Sequence, residues 1–200
     1  MPTGVRLLDV REQLFDAAER VLLRDGANSL TSRAVTTEAG VAKGVLHRHF
    51  ADFDAFLCEF VLDRIALIGA EAAALCESAG TGTVTGNLAS ALAGVFGLVG
   101  VALIGLVISR DELRARLRRA GAGRVPVAVE ATAMIASYLA AERELGRIRA
   151  DADISALAPA LVGTGHLLFA GREGALPEPD EIRNAVAAVI AGAVAGTRGE

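Results

Sequence analysis

The 200-residue chain predicts an all-α fold of about nine helices, a three-helix head containing a helix-turn-helix and then a larger helical body. Three observations predict it. Apolar residues recur at spacings of three and four through most of the chain, and clusters of glycine interrupt those repeats. In addition, residues 30–50 read as a short helix, a sharp turn and a second short helix ending on an aromatic residue. Residues 1–51 are expected to form the head and residues 52–200 the body.

Residues 9–24 make the first helix, on Val10, Leu14, Ala17 or Ala18 and Val21. Leu14, Phe15, Ala18 and Leu22 give the head part of its apolar seat, Asp25-Gly26 ends the helix, and Asn28 and Ser29 lead onward. Thr31 can cap the next helix, whose small apolar side is Ala34, Val35 and Ala39. Ala39-Gly40-Val41 is the turn, with Gly40 free to take positive φ and Val41 an apolar plug. Residues 42–49 then form a helix with Val45 and Leu46 inward, and with Lys43, Gly44, His47, Arg48 and His49 outward. A face that is small at its start and carries donors along its length suits a major groove. Thr31, Ser32 and Arg33 could present amides, hydroxyls and a guanidinium to a phosphate backbone, and Thr36 or Thr37 could also face DNA.

The run Arg11-Glu12-Gln13-Leu14-Phe15-Asp16-Ala17-Ala18, the pair Asp25-Gly26 and residues 30–57 together resemble the N-terminal DNA-binding domain of the TetR family of bacterial transcriptional regulators. The family pattern alanine-glycine-valine-serine-x-glycine-x-leucine-tyrosine-x-histidine-phenylalanine meets Ala39-Gly40-Val41-Ala42-Lys43-Gly44-Val45-Leu46-His47-Arg48-His49-Phe50. The sequence departs from it at Ala42, where a serine often helps hold the backbone, and at His47, where a tyrosine commonly touches a phosphate. It also has Phe53 where many members carry a lysine. The resemblance implies that Lys43 and Gly44 approach bases, that His47, Arg48 and His49 contact phosphates, and that Phe50 locks the end of the reading helix. It further implies a homodimer on double-stranded operator DNA and a small-molecule effector. Tilt of the fourth helix would then change the separation of two reading helices.

Charge is uneven. Residues 1–50 hold seven Arg or Lys against six acids, a net +1, and the remaining 150 hold thirteen against eighteen, a net −5, for −4 overall. A weakly positive head on an acidic body fits contact with DNA at one end. Cys58 and Cys76 are too few for a disulfide scaffold. On one helix they stand about 27 Å apart, too far to bridge. No signal-peptide pattern opens the sequence, so a cytoplasmic location is expected.

The fourth helix covers residues 52–77, with Phe53, Phe56, Leu57, Phe60, Val61, Ile65 and Ile68 on one side. Residues 78–109 contain no Asp, Glu, Lys or Arg. A membrane span needs about 20 apolar residues, so length permits one, and the arginine-rich run 110–119 could act as its positive stop. Thr83, Thr85, Asn87 and Ser90, the absence of interfacial Trp or Tyr, and interruption by Gly94, Gly97, Gly100 and Gly105 favour instead two buried helices at 83–96 and 99–119. Gly94-x-x-Gly97-x-x-Gly100 lacks the strand and pattern of a nucleotide fingerprint, and reads as close helix approach or local breaks. Small residues around Phe96, Leu98, Leu103, Ile104 and Leu106 either leave a cavity for an apolar or lightly polar molecule or bring helices together.

Gly121-Ala122-Gly123 is the next break, and Pro126 opens a helix to Leu145 carrying Met134, Ile135 and Tyr138. Tyr138 either meets a ligand or, as expected, is satisfied by a backbone carbonyl; Glu142, Arg143, Glu144 and Arg147 are expected to form an exposed end. Phe96, Leu103, Met134, Tyr138 and His166 are the candidate ligand-binding residues. His166 is otherwise a satisfied or interface histidine, since no metal motif accompanies it.

Asp151 and Asp153 precede the penultimate helix, the connection 171–179 follows it, and the last helix is expected at 180–195. These two helices suit a two-fold four-helix dimer, through Leu161, Gly165 and Phe169 of one and Ile182, Val186, Val189, Ile190 and Val194 of the other. The function expected is a ligand-responsive regulator, most simply a repressor, reading two half-sites roughly 34 to 36 Å apart per helical turn. No cofactor, metal, membrane partner or catalytic residue is expected. A membrane or scaffold protein built on residues 78–109 and a diverged enzyme are the alternatives.

Overall fold

A computed structural model describes residues 7–123, 125–170 and 175–195. The connection expected at 171–179 lies partly outside these residues. All ten helices among them follow in chain order: α1 Leu7–Asp25, α2 Ser32–Glu38, α3 Gly44–His49, α4 Phe53–Glu77, α5 Val84–Phe96, α6 Leu98–Ser109, α7 Asp111–Arg119, α8 Pro126–Glu144, α9 Ile154–Ala170 and α10 Pro179–Ile190. The all-α expectation holds, with one helix more than nine because 99–119 is two helices rather than one. The division falls at Arg110, where the backbone is extended (φ −127°, ψ 106°). There the Arg114 guanidinium turns back to the carbonyls of Val107 and Ile108 and closes the end of α6.

The chain forms two compact units, one of Met1–Arg64 with Ala102–Val125, the other of Ile65–Val101 with Pro126–Glu200. These units do not follow a single cut at 51/52, because the first also takes in the second half of α6 and all of α7. Its core is Leu14, Phe15, Ala18, Leu22, Leu30, Leu46, Phe50, Phe56 and Phe60, together with Leu113 and Leu117 from α7.

In the second unit α8 packs on α9, and α10 packs on α5 and α9. Gly165 permits a close crossing: a Cβ there would stand 2.8 Å from Phe96 Cδ2 and 3.0 Å from a Leu92 methyl. The close approach expected at a subunit interface is thus made inside the chain, by α9 against α5. Leu161, Phe169, Ile182, Val186 and Ile190 are buried within the same subunit, and Val189 is half-buried. The last helix ends at Ile190 rather than at 195. Val194 instead pairs with Ile148 in an antiparallel bridge, flanked by hydrogen bonds from Arg149 N to Ala193 O (2.8 Å) and Ala195 N to Arg147 O (3.0 Å).

No single helix among the described residues is long and apolar enough to cross a membrane. The uncharged α5 and α6 would pass that test only as a pair, and they are bent by 52° at Gly97. Gly100 cannot carry a side chain beside this bend, since its Cβ would lie 1.8 Å from the Val95 carbonyl oxygen. The glycines expected to mark local breaks do so here.

Candidate nucleic-acid interface

The reading motif is assembled from short local devices. The Thr31 hydroxyl accepts from Ala34 N at 3.2 Å and caps α2. At the other end of α2, Gly40 takes φ +66° while Gly40 N donates to Thr37 O (3.1 Å) and Val41 N to Thr36 O (3.0 Å). This is the paired hydrogen-bond pattern of a Schellman turn, in which the glycine occupies the left-handed position. The turn sets the direction in which α3 leaves α2.

Seven- and six-residue helices are too short to persist alone, so their positions come from packing. Gln13 Nε2 donates to the Ala39 carbonyl at 2.8 Å, tying the turn to α1. Glu38 accepts from Arg20 and Arg24, each at 2.8 Å, which holds its carboxyl below the usual range, Arg20 contributing most. Phe50 is buried where α3 ends, edge-on to Phe56 at 5.0 Å and 5.9 Å from Phe15, with the Arg11 guanidinium 4.5 Å from its ring centre. It is the apolar lock expected at that position.

Thr31, Arg33, Thr37, Ala42, Lys43, Gly44, His47 and Arg48 are exposed, Ser32 and His49 are half-buried, and Leu46 is buried beneath them. Thr36 departs from expectation. It is buried, and its hydroxyl donates back to the carbonyls of Ser32 (2.9 Å) and Arg33 (3.2 Å), which leaves Thr37 as the exposed one of the pair. Arg11, Arg20, Arg24 and Arg64 of this unit are each paired with a carboxylate. Arg33 on α2, Lys43 at the start of α3 and Arg48 on α3 are exposed and have no such partner among the described residues. A cleft of about 470 Å³ is lined by Arg24, Thr31, Arg33, Ala34, Thr37 and Glu38.

Phe96, Met134 and Tyr138 are buried in the second unit, where the His166 ring lies 6.1 Å from that of Phe96, and Leu103 belongs to the first unit. Tyr138 is satisfied by a carboxylate rather than by a backbone carbonyl. Its hydroxyl donates to Glu142 Oε1 at 2.6 Å and accepts from Asn87 Nδ2 at 3.0 Å. Burial first, and the Glu142 carboxylate second, push the phenol well above the ordinary tyrosine range.

Glu142 itself corrects the expected exposed end: it is fully buried, accepts from Gly80 N at 3.3 Å, and lies 3.4 Å from Arg147 Nε. Arg147 also donates to the carbonyls of Thr81 (3.3 Å) and Gly82 (2.8 Å). The cluster therefore fastens the α4–α5 turn to the end of α8. A run reading Ala-Glu-Arg-Glu gives no local sign of this, because the turn that it fastens lies about sixty residues away. Asp52, by contrast, was legible: an Asp just before an apolar run is a capping signal, and Asp52 Oδ1 accepts from Ala55 N at 2.7 Å. No group of three or more His, Cys, Asp or Glu placed to hold a metal occurs among the described residues.

Residues 14–57 match the family model described as bacterial regulatory proteins, tetR family. An uncharacterised HTH-type transcriptional regulator of Haemophilus influenzae is 36% identical over 52 residues, 26% of this chain, so the match spans only 28% of that relative's length. Whole-chain likeness appears in the fold. Reduced NemR of E. coli superposes with a TM-score of 0.69 at 19% identity, covering 96% of this chain and 100% of that one. FadR of Bacillus subtilis, in complex with stearoyl-CoA, gives 0.66 at 16%, covering 90% and 98%. SmeT, the repressor of the Stenotrophomonas maltophilia multidrug efflux pump SmeDEF, gives 0.64 at 20%, covering 95% and 96%.

Proposed function

We infer that this chain, which belongs to the TetR family of bacterial transcriptional regulators, is a cytoplasmic repressor that binds a palindromic operator as a homodimer. A small apolar or lightly polar effector releases it. The observation that carries this reading is the exposure of Arg33, Lys43 and Arg48, three cations without carboxylate partners on a pair of short helices joined by the Gly40 turn. Unpaired cations beside helix amides attract phosphates by charge, while Lys43 at the start of α3 can donate to a guanine edge and Gly44 lets the backbone approach. Residues 1–51 carry the reading motif, and the second unit holds the effector and makes the dimer.

The dimer surface we assign lies on the outer faces of α9 and α10, since the apolar stripe of α10 is already covered within the subunit. Ala156, Ala160, Gly163 and Leu167 recur along the exposed side of α9, and Ala187, Ala188 and Ala191 along that of α10. Leu167 is 77% exposed in the single subunit, an apolar side chain that a two-fold partner would cover. Effector binding that favours a separation of the two reading helices unsuited to the operator would lower DNA affinity.

Purified protein mixed with a randomised DNA pool tests this reading. Enrichment of a two-fold symmetric site, bound by a dimer, is expected. Lys43→Ala and Arg48→Ala should each weaken binding to that site and lower the slope of log affinity against log salt by about one where a phosphate contact is lost. Failure of the folded protein to enrich any sequence at low salt would overturn it.

A further inference from the structure

The arginine-rich run 110–119 follows the uncharged stretch, and in the structure its guanidiniums take specific partners. Arg110 Nη2 donates to the Leu30 carbonyl at 2.7 Å and to that of Ala27 at 3.4 Å, and the same guanidinium lies 5.7 Å from the centre of the Phe53 ring. Leu30 is the residue just before Thr31, the N-cap of α2. Six residues further on, Arg116 Nη2 stands 2.7 Å from Asp52 Oδ2. The other oxygen of Asp52 caps α4, and the Ala55 amide first and Arg116 second hold this carboxyl below its usual range. Asp52 lies two residues beyond Phe50, where α3 closes. All of these residues belong to one compact unit.

We propose that Arg110 and Arg116 are positioning residues for DNA recognition, two guanidiniums from the start and middle of α7 that grip the reading motif at its beginning, Leu30, and at its exit, Asp52. The inference rests on the DNA-reading role proposed above. Helices of seven and six residues cannot fix their own orientation, and a brace at both ends sets the angle at which Lys43 and Arg48 are presented. Arg110 suits the first grip because the two N–H groups of its Nη2 reach two carbonyls while the planar guanidinium lies over the Phe53 ring, a combination that a compact ammonium on a flexible stem does not reproduce. Both side chains are directed at the protein's own carbonyl and carboxylate oxygens, so they act through the motif and not on phosphate. The run that could have served as the positive stop of a membrane span is, on this reading, part of the DNA-binding head.

The test uses the full-length protein and duplexes enriched by the wild type from a randomised pool. Arg110→Ala and Arg116→Ala should each bind about tenfold more weakly at every salt concentration, with the salt slope unchanged. Arg110→Lys should remain weak, and Arg118→Ala, an exposed neighbour with no partner among the described residues, should bind as the wild type does. Hydrogen exchange should quicken in α2, in α3 and at the start of α4 while α8 to α10 keep their protection, a pattern that general destabilisation would not give. Wild-type affinity in both alanine variants, or a slope lowered by about one as for a lost phosphate contact, would overturn the proposal. If the wild type enriches no duplex, the regulator reading fails on its own account. Exchange then decides the brace: quickening confined to residues 31–56 supports it, and unchanged protection refutes it.

Discussion

In α3 the residues that stand out in the sequence, Lys43, His47 and Arg48, are in solvent, whereas in α10 the equally regular Ile182, Val186 and Ile190 are closed inside the subunit against α5 and α9. Both patterns were legible, and the second was expected to meet another subunit although its own subunit covers Ile182, Val186 and Ile190. A charged face announces its own destination, because a guanidinium or ammonium without a carboxylate remains in water until a phosphate meets it. An apolar stripe announces only that something covers it. In α10 the cover is the same chain, while Leu167 of α9 is left exposed.

The largest way to break this contrast is to put a charge where the stripe is covered. Val186→Asp should lower stability by about 4 kcal/mol or more, enough to unfold the body, because the carboxylate would be buried without a partner; urea denaturation followed by circular dichroism measures it. Glu142→Ala comes next. It removes a buried acceptor from Tyr138, Gly80 and Arg147 together and should cost about 3 kcal/mol, with Glu142→Gln costing less because it keeps an acceptor for the tyrosine hydroxyl.

Leu167→Glu should leave the subunit's own stability within about 0.5 kcal/mol while shifting the protein toward monomer in sedimentation, since two like charges would meet across a two-fold axis. A dimer that survives this change would place the interface elsewhere. Lys43→Ala and Arg48→Ala should change thermal stability by no more than about 0.5 kcal/mol, since neither residue has an intramolecular partner to lose.

The smallest effect is one of pH, at Asp52. A carboxyl whose value is depressed by folding adds stability that is present above its unfolded value and lost as pH falls through its folded one. As pH falls below the ordinary carboxylate value and then through the lower folded one, the protonated form gives up the Arg116 pair and weakens the Ala55 cap. Asp52→Asn keeps a capping oxygen and loses the titration, so acid unfolding of the head should become less steep. An unchanged acid profile would mean that the pair contributes nothing to the head's stability.

What the amino-acid order determined alone was a set of devices whose partners are near in sequence. The Thr31 cap of α2, the Gly40 turn and Phe50 at the end of α3 follow from backbone geometry within a few residues. The helix count came within one for the same reason, and the miss at Arg110 arose because no glycine or proline marks that break. Tertiary structure alone decided which apolar face meets which, that Gly165 serves a crossing inside the chain, that Thr36 turns inward, that Glu142 is a core residue, and that Arg110 and Arg116 reach back some sixty to eighty positions to the reading motif. Burial and hydrogen-bond satisfaction are settled between segments far apart in the chain, and a one-dimensional period carries the direction of a face without the identity of its partner.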